Sequence, residues 1–94
     1  MLLETQTLDP ADSLDTPDSV AEYLAAAFES GDQGEIADAL GVAARARGMS
    51  QLARETGLAR PALYRALSPD GQPEFKTVLK VLKALGVTLR PTAA

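Results

Sequence analysis

The sequence predicts an all-α fold, a compact bundle of about five helices. Three observations support this prediction: apolar residues recur every three or four positions, helix-capping residues precede those runs, and glycines follow them. The 94 residues, 46% of them apolar, suit one small domain with a single core, provided that most helices contribute a face to it. We therefore expect one folded domain over residues 16–94, preceded by a short arm.

An acidic arm and a first helix are predicted at the N-terminus. Residues 1–15 show no helical period and carry scattered acids, so we interpret them as an extended arm. Thr16 followed by Pro17 is typical of an N-cap with proline at the first helical position. Because Gly31 suits the left-handed backbone that ends many helices, we expect the first helix over about 17–30.

A capping pair and a glycine delimit a second helix. Asp32 and Glu35 have the spacing of a capping box, and Gly48 ends the helix after two arginines that suit the helix dipole. Gly41 is the weak point inside it, since glycine costs a helix about 1 kcal/mol. The expected buried stripe comprises Ile36, Leu40, Ala43 and Ala44.

Two short helices follow. Ser50 is predicted to cap a third helix over 51–56, which Gly57 ends. Pro61 suits the first turn of a fourth helix that continues to about Leu67.

The clearest helix is the last, which follows a loop at residues 68–73 and is expected over 74–85, with Gly86 ending it. Its predicted inward residues are Phe75, Val78, Leu79, Leu82 and Leu85, and its predicted exposed lysines are Lys76, Lys80 and Lys83. These lysines either contact DNA phosphates or form an ordinary solvated face. The segment VTLRP, 87–91, can then form a short strand.

The third and fourth helices have the spacing of a DNA-reading helix-turn-helix over residues 50–68. Such a unit needs a small residue inside its first helix, a residue that tolerates positive φ at the turn, and apolar anchors on its second helix. Ala53, Gly57 and Leu63 meet these needs. The alternative is that two short helices joined by a glycine turn bind nothing, as in many α-helical domains.

Five side chains of this unit are expected to point outward: Arg60, Ala62, Tyr64, Arg65 and Ser68. Arginine can bond a guanine edge, serine or tyrosine can bond a phosphate, and alanine can pack on a thymine methyl group. The pattern therefore predicts double-stranded DNA as a partner.

Charge divides the chain into two halves. Residues 1–40 hold ten acidic and no basic residues, a net charge of −10, whereas residues 41–94 have a net charge of +6. The halves therefore suit different partners, a basic one for the first and a polyanion for the second. Alternatively, both are solvated faces whose opposite charges help to hold the halves together.

The absent residue types argue against catalysis. The chain has no cysteine and no histidine, so the usual metal ligands and the usual general base are missing. We expect neither an enzyme nor a cofactor or metal site. With no apolar run of about 18 residues and an acidic N-terminus, a cytoplasmic protein without a membrane partner is predicted.

The pattern SQLARETGL followed by ALYRALSPDGQPEFKTVLKVLKALG resembles the Cro/C1-type (XRE) helix-turn-helix antitoxins known as addiction module antidotes, relatives of the Hig-type (HigA-like) antitoxins. The resemblance covers about residues 9–90. It implies a lambda-repressor-like bundle of five helices and a homodimer on a palindromic operator. It also implies repression of the protein's own operon and neutralisation of a small basic ribonuclease toxin of the RelE/HigB type.

By position, the resemblance implies that Gln51 and Ser50 meet phosphate, while Arg60, Ala62, Tyr64 and Arg65 belong to the recognition helix. Since a ribonuclease toxin carries a basic surface, the exposed acids of the first half are its candidate contacts. These acids are Asp9, Asp12, Asp15, Asp18 and Glu22. The apolar residues Val20, Tyr23, Leu24, Ala27 and Phe28 face either the core or the toxin.

Two further readings of function remain open at this point. One is a stand-alone or phage-type repressor without a toxin, which leaves the acidic arm unexplained. The other is a protein-interaction module that keeps the fold without binding DNA, which the acidic isoelectric point of about 4.6 favours.

Overall fold

Five helices occur in residues 13–94, the part of the chain that a computed structural model of the protein describes. They are α1 (Pro17–Ser30), α2 (Gln33–Arg47), α3 (Met49–Thr56), α4 (Arg60–Ala66) and α5 (Phe75–Ala84). The described residues contain no strand, so the all-α class is confirmed, and the prediction of a short strand over 87–91 is wrong. None of these helices is long and apolar enough to cross a membrane.

Helix α1 begins with two reciprocal hydrogen bonds between side chains and the backbone of its first turn. The Thr16 hydroxyl accepts a hydrogen bond from the Ser19 backbone N–H at 3.1 Å, and the Ser19 hydroxyl accepts one from the Thr16 N–H at 3.2 Å. This is a capping box in which serine takes the place of glutamate. Gly31, with φ of 68°, ends the helix where the sequence predicts.

Helix α2 is buried on more sides than a single stripe allows. The Asp32 carboxylate accepts a hydrogen bond from the Glu35 N–H at 2.9 Å, which starts the helix. Every residue from 39 to 44 is buried, whereas Ile36, predicted in the stripe, is only half-buried. This helix therefore lies at the centre of the bundle, with other elements packed around it.

Gly41, predicted to be a weak point of α2 in helix propensity, is also a packing requirement of this helix. A Cβ at this position would collide with the backbone carbonyl oxygen of Leu67, at the end of α4. Only glycine permits this close approach of the two backbones. Gly41 thus lowers the helix propensity of α2 but allows α2 to contact the end of α4.

Helix α3 starts two residues earlier than predicted. Its N-cap is Gly48, with φ of 106° and ψ of 114°, and Ser50 lies within the first turn, so the prediction that Ser50 caps the helix is wrong. The glycine lets the chain pass from α2 into α3 without a linker, which brings the buried Met49 into the helix. No side chain caps this N-terminus.

The buried face of α5 is rotated relative to the predicted one. Phe75 is 68% exposed and Leu79 is 43% exposed, although both were expected inside, and Val81, which was not among the predicted inward residues, is fully buried. The face that packs on the rest of the molecule consists of Val78, Val81, Leu82 and Leu85. Both stripes have helical spacing, and the position of α3 against α5 selects between them.

All five helices contribute to one core. The largest fully buried side chains are Leu24, Leu40, Leu52, Leu63, Val81 and Leu82. Burial of each such side chain contributes about 1.5–3 kcal/mol relative to leaving it exposed. Leu14, which precedes α1, is buried with them.

Candidate nucleic-acid interface

A three-residue turn joins α3 to α4 and fixes their relative orientation. Gly57, with φ of 77°, ends α3, and its N–H donates to the Ala53 carbonyl at 2.9 Å. The Thr56 hydroxyl donates to the Leu52 carbonyl at 2.8 Å and accepts from the Leu58 N–H at 3.3 Å. The buried Thr56, which sequence reasoning did not single out, therefore ties the turn to the helix before it.

Apolar anchors hold α4 in place beneath the turn. Leu63 is fully buried, Leu67 is buried at the end of the helix, and Leu58 packs half-buried against the core. Ala53 is half-buried against the same core, as a small inner residue should be. With its inner side held in this way, α4 presents its other side to solvent.

The structure exposes most of the predicted DNA-contacting residues of α4. Arg60, Tyr64 and Arg65 are exposed, and Ala62 is half-buried. The Arg60 guanidinium carbon lies 6.0 Å from the centre of the Tyr64 ring, a cation–π distance. Ser68 lies beyond the helix, half-buried, and its hydroxyl donates to the Arg65 carbonyl at 3.0 Å.

Four arginines meet in an open cleft where α2, α3 and α4 join. We call this the arginine cleft; its volume is about 440 Å³. Its polar lining consists of Arg45, Arg47, Ser50, Gln51, Arg54, Arg60 and Tyr64. Of the predicted DNA-contacting residues, the cleft brings together Ser50, Gln51, Arg60 and Tyr64, whereas Ala62, Arg65 and Ser68 lie outside it.

Three arginines of this cleft were not predicted as site residues. Arg45 and Arg47 are in the last turn of α2, where the sequence indicated only a favourable interaction with the helix dipole. Because Gly48 turns the chain directly into α3, these two arginines lie beside the uncapped N-terminus of that helix. The signal in the sequence was the presence of arginines on both sides of Gly48. Whether these arginines lie close together in space depends on the direction of the turn at this glycine, which the sequence pattern does not give.

One acidic side chain balances part of this positive charge. Arg47 forms an ion pair with Glu55 at 3.2 Å, the only ion pair in the described part of the chain, and the Gln51 amide donates to the same carboxylate at 3.1 Å. The hydrogen bond from Gln51, together with that from Arg47, lowers the pKa of Glu55 below its ordinary value. Glu55 is therefore a carboxylate at neutral pH, held by two groups that also line the arginine cleft.

The acidic surface is formed by α1 and the start of α2. Asp15, Asp18 and Glu22 are exposed, as a toxin contact requires, and Asp9 and Asp12 fall outside the described residues. Further exposed acids are Glu29, Asp32, Glu35 and Asp38. Within residues 13–94, no group of acids is arranged to hold a metal ion.

The apolar residues of α1 divide between two environments. Val20 and Leu24 are buried, so of the two alternatives, the core or the toxin, these residues face the core. Tyr23, Ala27 and Phe28 are half-buried and pack against the edge of the core. Of the five residues considered for the toxin, these three therefore retain surface that a partner can cover.

Comparisons with known proteins cover nearly the whole chain. The model of a family described as "Probable addiction module antidote protein" matches residues 4–93. An uncharacterised protein of Haemophilus influenzae is 41% identical over 87 residues, which is 93% of this chain and 90% of that protein. No solved structure gives a significant match. Both sequence matches include the acidic α1 and the arginine cleft.

Proposed function

The chain belongs to the family of probable addiction module antidote proteins, and from that premise we propose that it is the antitoxin of a type II toxin–antitoxin module. In this proposal the protein acts in the cytoplasm by binding and not by catalysis. It binds the operator of its own operon and represses transcription, and it binds and neutralises a small basic toxin of the RelE/HigB-like ribonuclease type.

The observation that supports DNA binding is the arginine cleft beside the exposed side of α4. Arg60 and Arg65 can each donate two hydrogen bonds to a guanine edge when α4 lies in the major groove as the recognition helix of a Cro/C1-type helix-turn-helix. Tyr64 lies under Arg60 and limits the directions that its guanidinium can take. Ala62 and Ser68 flank these residues and complete the proposed contact surface.

Phosphate contacts are assigned to the N-terminus of α3. Its first N–H groups have no side-chain cap, and the partial positive charge of a helix N-terminus attracts anions. Ser50 is exposed in this first turn and can donate to a phosphate oxygen. The Gln51 amide has one N–H on Glu55 and a second to offer.

Toxin binding is assigned to the acidic surface. An RNA-cleaving toxin requires a basic surface for its substrate, and exposed acids without neighbouring cations can cover that surface electrostatically. Asp15, Asp18 and Glu22 have this exposure, and none of the residues from 13 to 44 is basic. Asp9 and Asp12 extend the same proposal along the chain.

We also propose a homodimer that binds a palindromic operator, as Cro/C1-type repressors do. Dimeric readers place two recognition helices on half-sites about one helical turn apart. The exposed Phe75 and Leu79 of α5 offer an apolar surface, and such surfaces are often covered on association.

A promoter fusion tests the repressor function. The upstream region of the gene is placed before a reporter, and expression is compared for the wild-type protein and an Arg60→Ala, Arg65→Ala double variant. Repression by the wild type alone supports the proposal. Equal reporter levels with and without the wild-type protein would instead favour an interaction module that does not bind DNA.

Co-expression tests the antitoxin function. The product of the adjacent gene should copurify with this protein as a small basic chain, and its toxicity to growth should disappear when the two are expressed together. Repression without any such partner would leave a stand-alone or phage-type repressor as the better description.

A further inference from the structure

A second basic cleft lies between α3 and α5. We call it the lysine cleft; its volume is about 480 Å³, and its lining comprises Arg47, Glu55, Thr56, Lys80, Lys83 and Ala84. Arg47 lines this cleft and the arginine cleft as well, so the two adjoin at its side chain. Glu55 is the only acid that lines either of them.

The lysines of α5 are not equivalent in the structure. Lys80 and Lys83 are three residues apart and enter the lining of the cleft, because α5 packs against α3 along this side. Lys76 is also exposed, one turn earlier, but lines neither cleft. An ordinary solvated lysine face gives no reason for Lys80 and Lys83 to behave differently from Lys76, whereas a binding cleft does.

Glu55 occupies the place of an anionic ligand. Its carboxylate accepts hydrogen bonds from the Arg47 guanidinium at 3.2 Å and from the Gln51 amide at 3.1 Å. Both donors are side chains that suit a phosphate oxygen equally well. An incoming phosphate would therefore compete with a carboxylate that is already part of the protein.

We propose that the lysine cleft is a second contact site for the DNA backbone, where Lys80, Lys83 and Arg47 bind phosphate next to the operator, and that Glu55 competes with this phosphate for Arg47. This inference rests on the proposed DNA binding and extends the contact surface from α3 and α4 to α5. Because backbone contacts carry no sequence information, the lysine cleft adds affinity for any duplex and leaves the choice of operator to α4.

The salt dependence of binding tests this site directly. The full chain is titrated by fluorescence anisotropy with an operator duplex extended by about 10 base pairs on each side, between 50 and 200 mM salt. The slope of log K against log salt is negative, and each lost phosphate contact makes it shallower by about 0.9. Lys80→Ala and Lys83→Ala should each make the slope shallower by about this amount. The fourfold rise in salt would then weaken the binding of each variant about 3.5-fold less than it weakens the binding of the wild type.

Lys76→Ala is the matched control, since it removes the same charge from the same helix. It should leave the slope close to that of the wild type. Equal changes for Lys76→Ala and Lys83→Ala would show a general charge effect and would overturn the lysine cleft as a site.

Glu55→Gln tests the competition. It should tighten binding to operator and to scrambled duplex alike by several-fold, because Arg47 is released without loss of side-chain volume. Glu29→Gln, an exposed acid on α1, should have little effect. The gain should also vanish in an Arg47→Ala background, and an equal gain with and without Arg47 would contradict the proposed competition.

Failure of this inference can be separated from failure of the proposed function. If the wild type prefers its operator over scrambled DNA but the Lys80 and Lys83 variants follow Lys76→Ala, only the lysine cleft is wrong. If the wild type binds neither duplex at 50 mM salt, the proposed function fails and the lysine cleft fails with it.

Discussion

Gly41 controls how closely the end of α4 approaches α2. Glycine-to-alanine replacement inside a helix ordinarily stabilises it by about 1 kcal/mol, because alanine is the better helix former. At Gly41 the new methyl group would meet the Leu67 carbonyl oxygen, so we expect Gly41→Ala to lower the free energy of unfolding by about 1–3 kcal/mol. Urea denaturation measures this change. A more stable variant would show that the backbones of α2 and α4 do not touch here.

Glu55 gives a second prediction at the level of single residues. Its pKa is lowered by the hydrogen bond from Gln51 and by the hydrogen bond and charge of Arg47, so Gln51→Ala and Arg47→Ala should each raise the pKa of Glu55. A carbon-13 NMR titration of the side-chain carboxyl group measures both shifts. An unchanged pKa in both variants would mean that neither donor holds the carboxylate in solution.

The sign of the pH effect follows from the direction of this shift. The pKa of Glu55 is lower in the folded than in the unfolded chain, so ionisation of Glu55 favours folding. That contribution is fully present above the unfolded value of about 4.3 and is lost as the pH falls through the folded value. Because the side chain is exposed to solvent, the effect on stability is small even though the NMR shift is measurable.

At the level of the helices, the caps give a paired prediction. Thr16→Ala removes the side chain that caps α1 and should cost about 1 kcal/mol of stability. Ser50→Ala should change the stability by less than about 0.5 kcal/mol, because Ser50 lies inside α3 and caps nothing. Chemical denaturation of both variants measures these changes in the free energy of unfolding. An equal loss of stability in the two variants would mean that Ser50 does cap α3.

Most helix limits could be predicted because their signals are local. Thr16, Asp32 and Gly57 act through hydrogen bonds or backbone angles within one turn, and the structure places them where the sequence does. Ser50 failed since Gly48 serves both as the end of α2 and as the start of α3. A residue with two such roles cannot be recognised from the period of one helix.

Faces were less predictable than limits. Periodicity offered α5 a stripe through Phe75 and Leu79, but the packed stripe includes Val81. Either face is compatible with a helix. Which face is buried depends on the contact of α5 with α3, and no local sequence pattern encodes that contact. The same reason explains the site: the exposed residues of α4 were predictable from one helix, whereas the arginine cleft combines three.

For the molecule as a whole, the separation of charge predicts separable functions. Charge reversal of Asp15, Asp18 and Glu22 to lysine should abolish copurification of the toxin while leaving operator binding in place. The Arg60→Ala, Arg65→Ala double variant should do the reverse. Pull-down of the neighbouring gene product and operator binding are measured for both proteins. Loss of both activities in each folded variant would mean that the two partners share one surface.

Operator affinity shows whether α3 and α4 read DNA. Anisotropy titrations at two salt concentrations compare the wild type with the Arg60→Ala, Arg65→Ala double variant on DNA from the upstream region and on scrambled DNA. We predict that the wild type binds the upstream DNA much more tightly than scrambled DNA, that salt weakens this binding, and that the double variant loses the preference. Equal, negligible binding by both proteins would mean that α3 and α4 do not read DNA, and would leave the acidic surface, with a protein partner, as the functional part of the molecule.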